Sequence, residues 1–113
     1  MSSHRALALL AALSLAPASA LAEPEEALMG VTYVFTTVDA YSVVGSSLIV
    51  TGTLVGESNV RTINLPGRGG DTTEEASRCD RLALLTMTRP GRFHFSWSKP
   101  GLYYSPTCTL TRL

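Results

Sequence analysis

The amino-acid sequence predicts a small, mainly β domain with a single α-helix, in the order β-β-β-α-β-β. Three observations support this. Residues 31–65 hold three β-branched or aromatic runs separated by glycine-containing turns. Residues 72–89 carry apolar side chains at helical spacing between a capping signal and a proline. Residues 92–98 alternate strictly between aromatic and polar side chains, the period of a strand with one buried face. A length of 113 residues bounds the chain to one domain.

The chain opens with MSSHRALALLAALSLAPASALA. Arg5 makes a short basic start, residues 6–16 an apolar run, and Pro17 with small residues a break, the order a secretory signal uses. The run is shorter than the roughly 20 apolar residues of a membrane span. Cleavage is expected after Ala22, before the polar Glu23-Pro24-Glu25-Glu26, with Ala20 as the competing site. A core helix is the alternative reading of this stretch. Residues 1–22 are therefore read as a signal peptide, 23–30 as a flexible mature N-terminus and 31–113 as the folded domain. The expected destination is the periplasm or the medium, and no Cys near the cut offers a lipid anchor.

VTYVFTTVDAY, residues 31–41, suits a strand, and Gly45-Ser46-Ser47 turns the chain into LIVTGTLV, residues 48–55. Gly52 inside that second run suggests a bulge or sharp bend. A turn at residues 56–59 leads into a third strand, residues 60–65, giving an antiparallel meander. PGRGGD, residues 66–71, combines a ring-locked residue with three glycines and cannot continue a strand. Thr72 and Glu75 then form a capping box, and Glu74 and Glu75 suit the positive end of a helix dipole. Ala76, Cys79, Leu82, Ala83 and Met87 fall within an arc of about 140°, with Leu85 among the polar residues opposite. Pro90 stops the helix and Gly91 starts a turn. In the next strand Phe93, Phe95 and Trp97 share one face, and Arg92, His94, Ser96 and Ser98 the other. A turn at Lys99-Pro100-Gly101 precedes the last strand, TCTLTRL, where Cys108 and Leu110 share a face.

The mature chain has two cysteines, Cys79 and Cys108, and an even pair in an exported protein reads as a disulfide. It would tie the helix to the last strand and close a loop of 30 residues. The chain-entropy model assigns such a loop roughly 3–4 kcal/mol, a large share of a small domain's stability. Two free thiols are the alternative.

This element order resembles the OB-fold, a five-stranded Greek-key barrel with a helix between strands three and four. The resemblance implies a small barrel; a half-open antiparallel sheet with one helix packed across it is the competing architecture. The string CDRLALLTMTRPG, an aromatic strand and the terminal CTLTRL are together similar to small exported bacterial proteins of unknown function. That resemblance covers residues 79–113 and implies compartment, disulfide and domain size, with no functional residue to carry over.

Without Arg5 the chain holds eight basic and nine acidic residues, a near-neutral balance that argues against a dedicated polyanion binder such as a nucleic-acid protein. The distribution is uneven. Residues 23–77 carry eight acids and two bases, whereas residues 78–113 carry six bases and one acid, Asp80. Such halves either steer a charged partner or neutralise each other in the fold.

Chemistry-bearing constellations are sparse. His94 is the one histidine after the signal, and no Ser-His-Asp pattern or G-x-S-x-G elbow accompanies it, so a rim position is expected rather than catalysis. Zinc lacks a ligand set, and Asp71, Glu74 and Glu75, the best calcium candidates, are already explained by helix capping. The GRGGD loop could cradle an anion but lacks the P-loop and Rossmann spacings and is read as a turn. The aromatic strand is expected to fill the core, whereas Tyr103 and Tyr104 fall in a turn-rich stretch that should be exposed. Arg92, His94, Tyr103 and Tyr104 are therefore the candidate ligand-binding residues, with no catalytic residue, metal or cofactor expected. The sequence thus predicts a non-enzymatic exported module that binds a protein or glycan. A structural protein of the envelope or medium without a discrete site is the alternative.

Overall fold

The computed structural model describes residues 23–68 and 73–113, with residues 73–77 given by backbone alone. The signal segment, Gly69 to Thr72 and the side chains of Glu74 and Glu75 lie outside the described residues. The expectations placed there (cleavage site, capping box, calcium candidates and much of the GRGGD loop) lie outside them too.

Six strands form one mixed sheet: β1 (Glu25–Glu26), β2 (Tyr33–Val44), β3 (Ser47–Leu54), β4 (Val60–Leu65), β5 (Phe93–Ser98) and β6 (Thr107–Arg112). Helix α1 (Thr73–Thr88) carries the chain from β4 to β5. The spatial order is β1-β4-β3-β2-β5-β6, so β1 and β6 lie at opposite edges and the sheet stays open. The barrel implied by the OB-fold resemblance is not formed; the half-open sheet is. Strand β1, absent from the predicted order, runs parallel to β4 while all other pairs are antiparallel.

The expected meander is present as β2-β3-β4. Gly45 and Ser46 make a two-residue hairpin loop, since Val44 pairs with Ser47, and Gly45 takes a φ of 59°. Only glycine adopts that conformation without strain, and glycine first in such a loop is the type II′ arrangement. The irregularity expected at Gly52 lies instead on its partner strand. Two register shifts, between Phe35 and Thr37 and between Val38 and Ala40, insert extra residues into β2. Gly52 sits opposite Val38, where a Cβ would run into the Thr37 carbonyl. Glycine is needed so that the bulged strand can press close. The bulges also reset which β2 side chains face inward: Phe35 and Val38 are buried and Tyr41 packs against the core. Strict alternation would have turned Thr37 and Asp39 inward instead.

Bulges bend a strand, and here the sheet curls so far that Lys99, beyond β5, hydrogen-bonds Gly67, beyond β4. The core fills the inside of that curl. Phe35, Val50, Ile63, Leu65, Phe95 and Trp97 are its largest fully buried apolar members, with Phe35 and Phe95 stacked at 6.0 Å. Phe95 and Trp97 thus fill the core as their period predicted, with Phe93 half-buried. Helix α1 packs onto the same side through Cys79, Ala83 and Thr86. Met87, expected on the buried arc, is exposed, as is Leu85. Thr86 takes the inward place because its hydroxyl donates to the Leu82 carbonyl at 3.0 Å, so burial leaves no unmet donor. Burial raises the pKa of the Tyr41 hydroxyl, and the nearby Asp80 carboxylate on α1 raises it further.

Residues 23–30, expected to be a flexible lead-in, are laid along the sheet. Ala27 N–H donates to the Asn64 carbonyl (3.1 Å), Leu28 N–H to the Tyr33 hydroxyl (2.9 Å) and Gly30 N–H to the Lys99 carbonyl (2.8 Å). Ala27 is buried as a result.

Candidate functional site

Residues 99–106 connect β5 to β6, and both roots of this loop are fixed. On one side Lys99 is only 2% exposed, and its Nζ donates to the Gly67 carbonyl at 2.6 Å. On the other, Cys108 is bonded to Cys79 of α1 with the Cα atoms 5.6 Å apart. Tyr104 N–H donates to the Gly101 carbonyl at 3.2 Å, closing a turn at the tip. Between these anchors Leu102, Tyr103 and Tyr104 stand 68%, 86% and 64% exposed. Single exposed apolar residues are ordinary, but three large ones in succession on an anchored loop form a contact surface. Tyrosine supplies such area at low conformational cost and keeps a hydroxyl for a polar partner.

The four predicted ligand residues are not brought together. Tyr103 and Tyr104 lie at the loop end of the β5–β6 hairpin. Arg92 lies at the other end, where its carbonyl accepts from Leu113 N–H at 3.0 Å. The six-pair ladder between them is roughly 17–20 Å long at about 3.3 Å per residue. His94, half-buried, faces away from the core opposite Thr111. The hairpin register separates what sequence adjacency grouped. Lys99, read as the start of a turn, is withdrawn into the interior.

A groove of about 290 Å³ runs beside the disulfide, lined by Arg78, Cys79, Leu82, Pro106, Thr107 and Cys108. Sequence reasoning missed it, although Leu82 beside Cys79 on the apolar arc was the available signal. A second, open cleft of about 390 Å³ lies where the start of β2 meets the end of β3, between Leu28, Val31, Leu54, Val55, Glu57 and Arg61. Its charges are already engaged with each other. Arg61 forks onto Glu25 through Nε and Nη2, both at 2.9 Å, and its Nη1 reaches Glu57 at 3.0 Å. The Arg61 hydrogen bonds hold the Glu25 carboxyl below the usual carboxylate range against a smaller opposing effect of burial. The Glu25 hydrogen bonds in turn keep Arg61 still more firmly protonated.

Among the described residues no three His, Cys, Asp or Glu side chains converge as a metal site, and no helix is long and apolar enough to cross a membrane. No family model, curated protein or solved structure matches this chain.

Proposed function

We propose that this is an exported, non-enzymatic binding module that engages a protein or glycan through the loop carrying Leu102, Tyr103 and Tyr104. The observation behind this is the exposure of those three side chains on a loop whose roots are a buried lysine and a disulfide. Export is supported by the composition of residues 1–22 and by the disulfide, which persists in oxidising compartments. Rigid roots reduce the ordering cost that a mobile loop would bear on binding.

The test is capture from the producing cell's envelope and medium, together with a glycan array. The wild-type protein is compared with a Tyr103→Ala/Tyr104→Ala double variant. The variant should keep its melting temperature within about 2 °C, since the side chains are exposed. It should lose at least tenfold of whatever the wild type retains. Equal retention by both proteins would remove the loop from the site. Retention of nothing would leave a structural protein of the envelope or medium as the better reading.

A further inference from the structure

Strand β6 is an edge, and its chemistry differs from that of a guarded edge. The hydrogen bond from Leu113 N–H to the Arg92 carbonyl sets the ladder's phase. Thr107, Thr109 and Thr111 turn their peptide groups toward β5, so Cys108, Leu110 and Arg112 turn theirs outward. Among the described residues no strand pairs with that outward row. Natural edges are commonly protected by proline, bulges, inward charges or very short strands. Strand β6 has six residues in unbroken register, and its one charge, Arg112, is the last of them.

Alongside this edge lies the groove lined by Arg78, Leu82 and the disulfide. Helical spacing puts Arg78, Leu82 and Leu85 along one flank of α1, basic at its start and apolar beyond, and Arg89 follows just past the helix end. Arg92 and Arg112 add positive charge at the far end of β6, where Phe93 pairs with Arg112. The partner that complements this surface is an extended strand, apolar on alternate residues and acidic at its ends. A second copy pairing antiparallel through β6 would instead bring Arg112 at one end toward Arg78 at the other end of its partner, a like-charge arrangement.

We infer that β6 is a strand-addition site: an extended, acidic-ended peptide segment of a partner protein pairs antiparallel with Cys108, Leu110 and Arg112. Alternate apolar side chains of that segment enter the groove beside Leu82. Main-chain bonds supply affinity in this mode, and the groove and arginines supply selectivity. The inference goes beyond the tyrosine loop and does not need it.

The probe is a blocked heptapeptide, Glu-Thr-Val-Thr-Val-Thr-Glu, whose valines and glutamates share one face, titrated into the full-length mature protein. In an antiparallel pair, residues directly opposite share a face. The two valines therefore lie opposite Cys108 and Leu110 on the helix side and point their N–H groups at β6, with one glutamate opposite Arg112 and the other beyond Cys108 toward the groove. N-methylation of the valines should weaken binding at least tenfold, and N-methylation of the threonines less than twofold. Arg112→Glu should weaken binding several-fold. On titration the Cys108, Leu110 and Arg112 amides should become protected from hydrogen exchange. Absence of binding at millimolar peptide overturns the proposal, as does equal sensitivity to both methylation patterns. Self-association that protects the same amides without peptide overturns it in favour of a second copy. Each of these results leaves the Tyr103/Tyr104 capture experiment to be judged separately.

Discussion

The two edges of this sheet are built on opposite principles. The β1–β4 edge is short, acidic and closed by side chains. Strand β1 is two residues long and follows Pro24; Glu25 is forked by Arg61, and Asn64 Nδ2 donates to the Glu26 carboxylate at 3.0 and 3.1 Å. The β6 edge is longer and threonine-rich, with its peptide groups left outward, and it is held by a covalent bond to the helix. Charge and brevity discourage a further strand at the first edge. At the second, the disulfide fixes the strand without capping it. An edge that is rigid yet uncovered serves as a template for a partner, whereas a rigid and charged one only ends the sheet.

That contrast can be broken or sharpened by substitution. The largest effect is expected from Cys79→Ser/Cys108→Ser, which opens the 30-residue loop and should cost roughly 3–4 kcal/mol in urea unfolding. Hydrogen exchange should accelerate more in β6 than in β4. Equal acceleration in both would mean that the staple supports the whole sheet rather than one edge.

An intermediate effect belongs to Lys99, which links the end of β5 to Gly67 beyond β4 and so spans the curl between the two sides. Lys99→Met keeps the buried stem but removes the donor from the Gly67 carbonyl, for a loss of about 1–3 kcal/mol by thermal or urea unfolding. A change below about 0.5 kcal/mol would show that water replaces the ammonium group and that the link is dispensable.

The smallest effect is expected at the charged edge. Glu25 titrates below its ordinary range because Arg61 stabilises the carboxylate, so its contribution is present at neutral pH and disappears as pH falls through the folded-state pKa. The side chain is half exposed and solvent screens the pair, so Glu25→Gln should cost less than about 1 kcal/mol at pH 7. Stability curves of wild type and variant should converge in acid. A gap that persists at low pH would assign the effect to packing of the N-terminal segment rather than to charge.

Much of this fold was legible one segment at a time. Alternation at Phe93, Phe95 and Trp97 foretold a strand with a buried face, and Pro90 marked the helix end. The lone pair of cysteines, in a chain read as exported, foretold the bond between Cys79 and Cys108. Each rests on local periodicity or on elimination within a short list, information that neighbouring residues carry themselves. Tyr103 and Tyr104 were recognisable as exposed for the same reason, since a turn-rich stretch has little chance to bury them.

Tertiary structure alone decided the rest. Strand β1 exists because Ile63 and Asn64, far along the chain, offer an edge to Glu25 and Glu26. Bulges in β2, rather than at Gly52, follow from a close approach between two strands that no single segment records. Lys99 is buried because the curled sheet brings the Gly67 carbonyl within reach, and Arg92 is parted from the tyrosines by the register of one hairpin. Periodicity specifies which face of a segment is apolar. Only the closing of distant backbone groups onto one another determines which segment that face meets and which edge stays open.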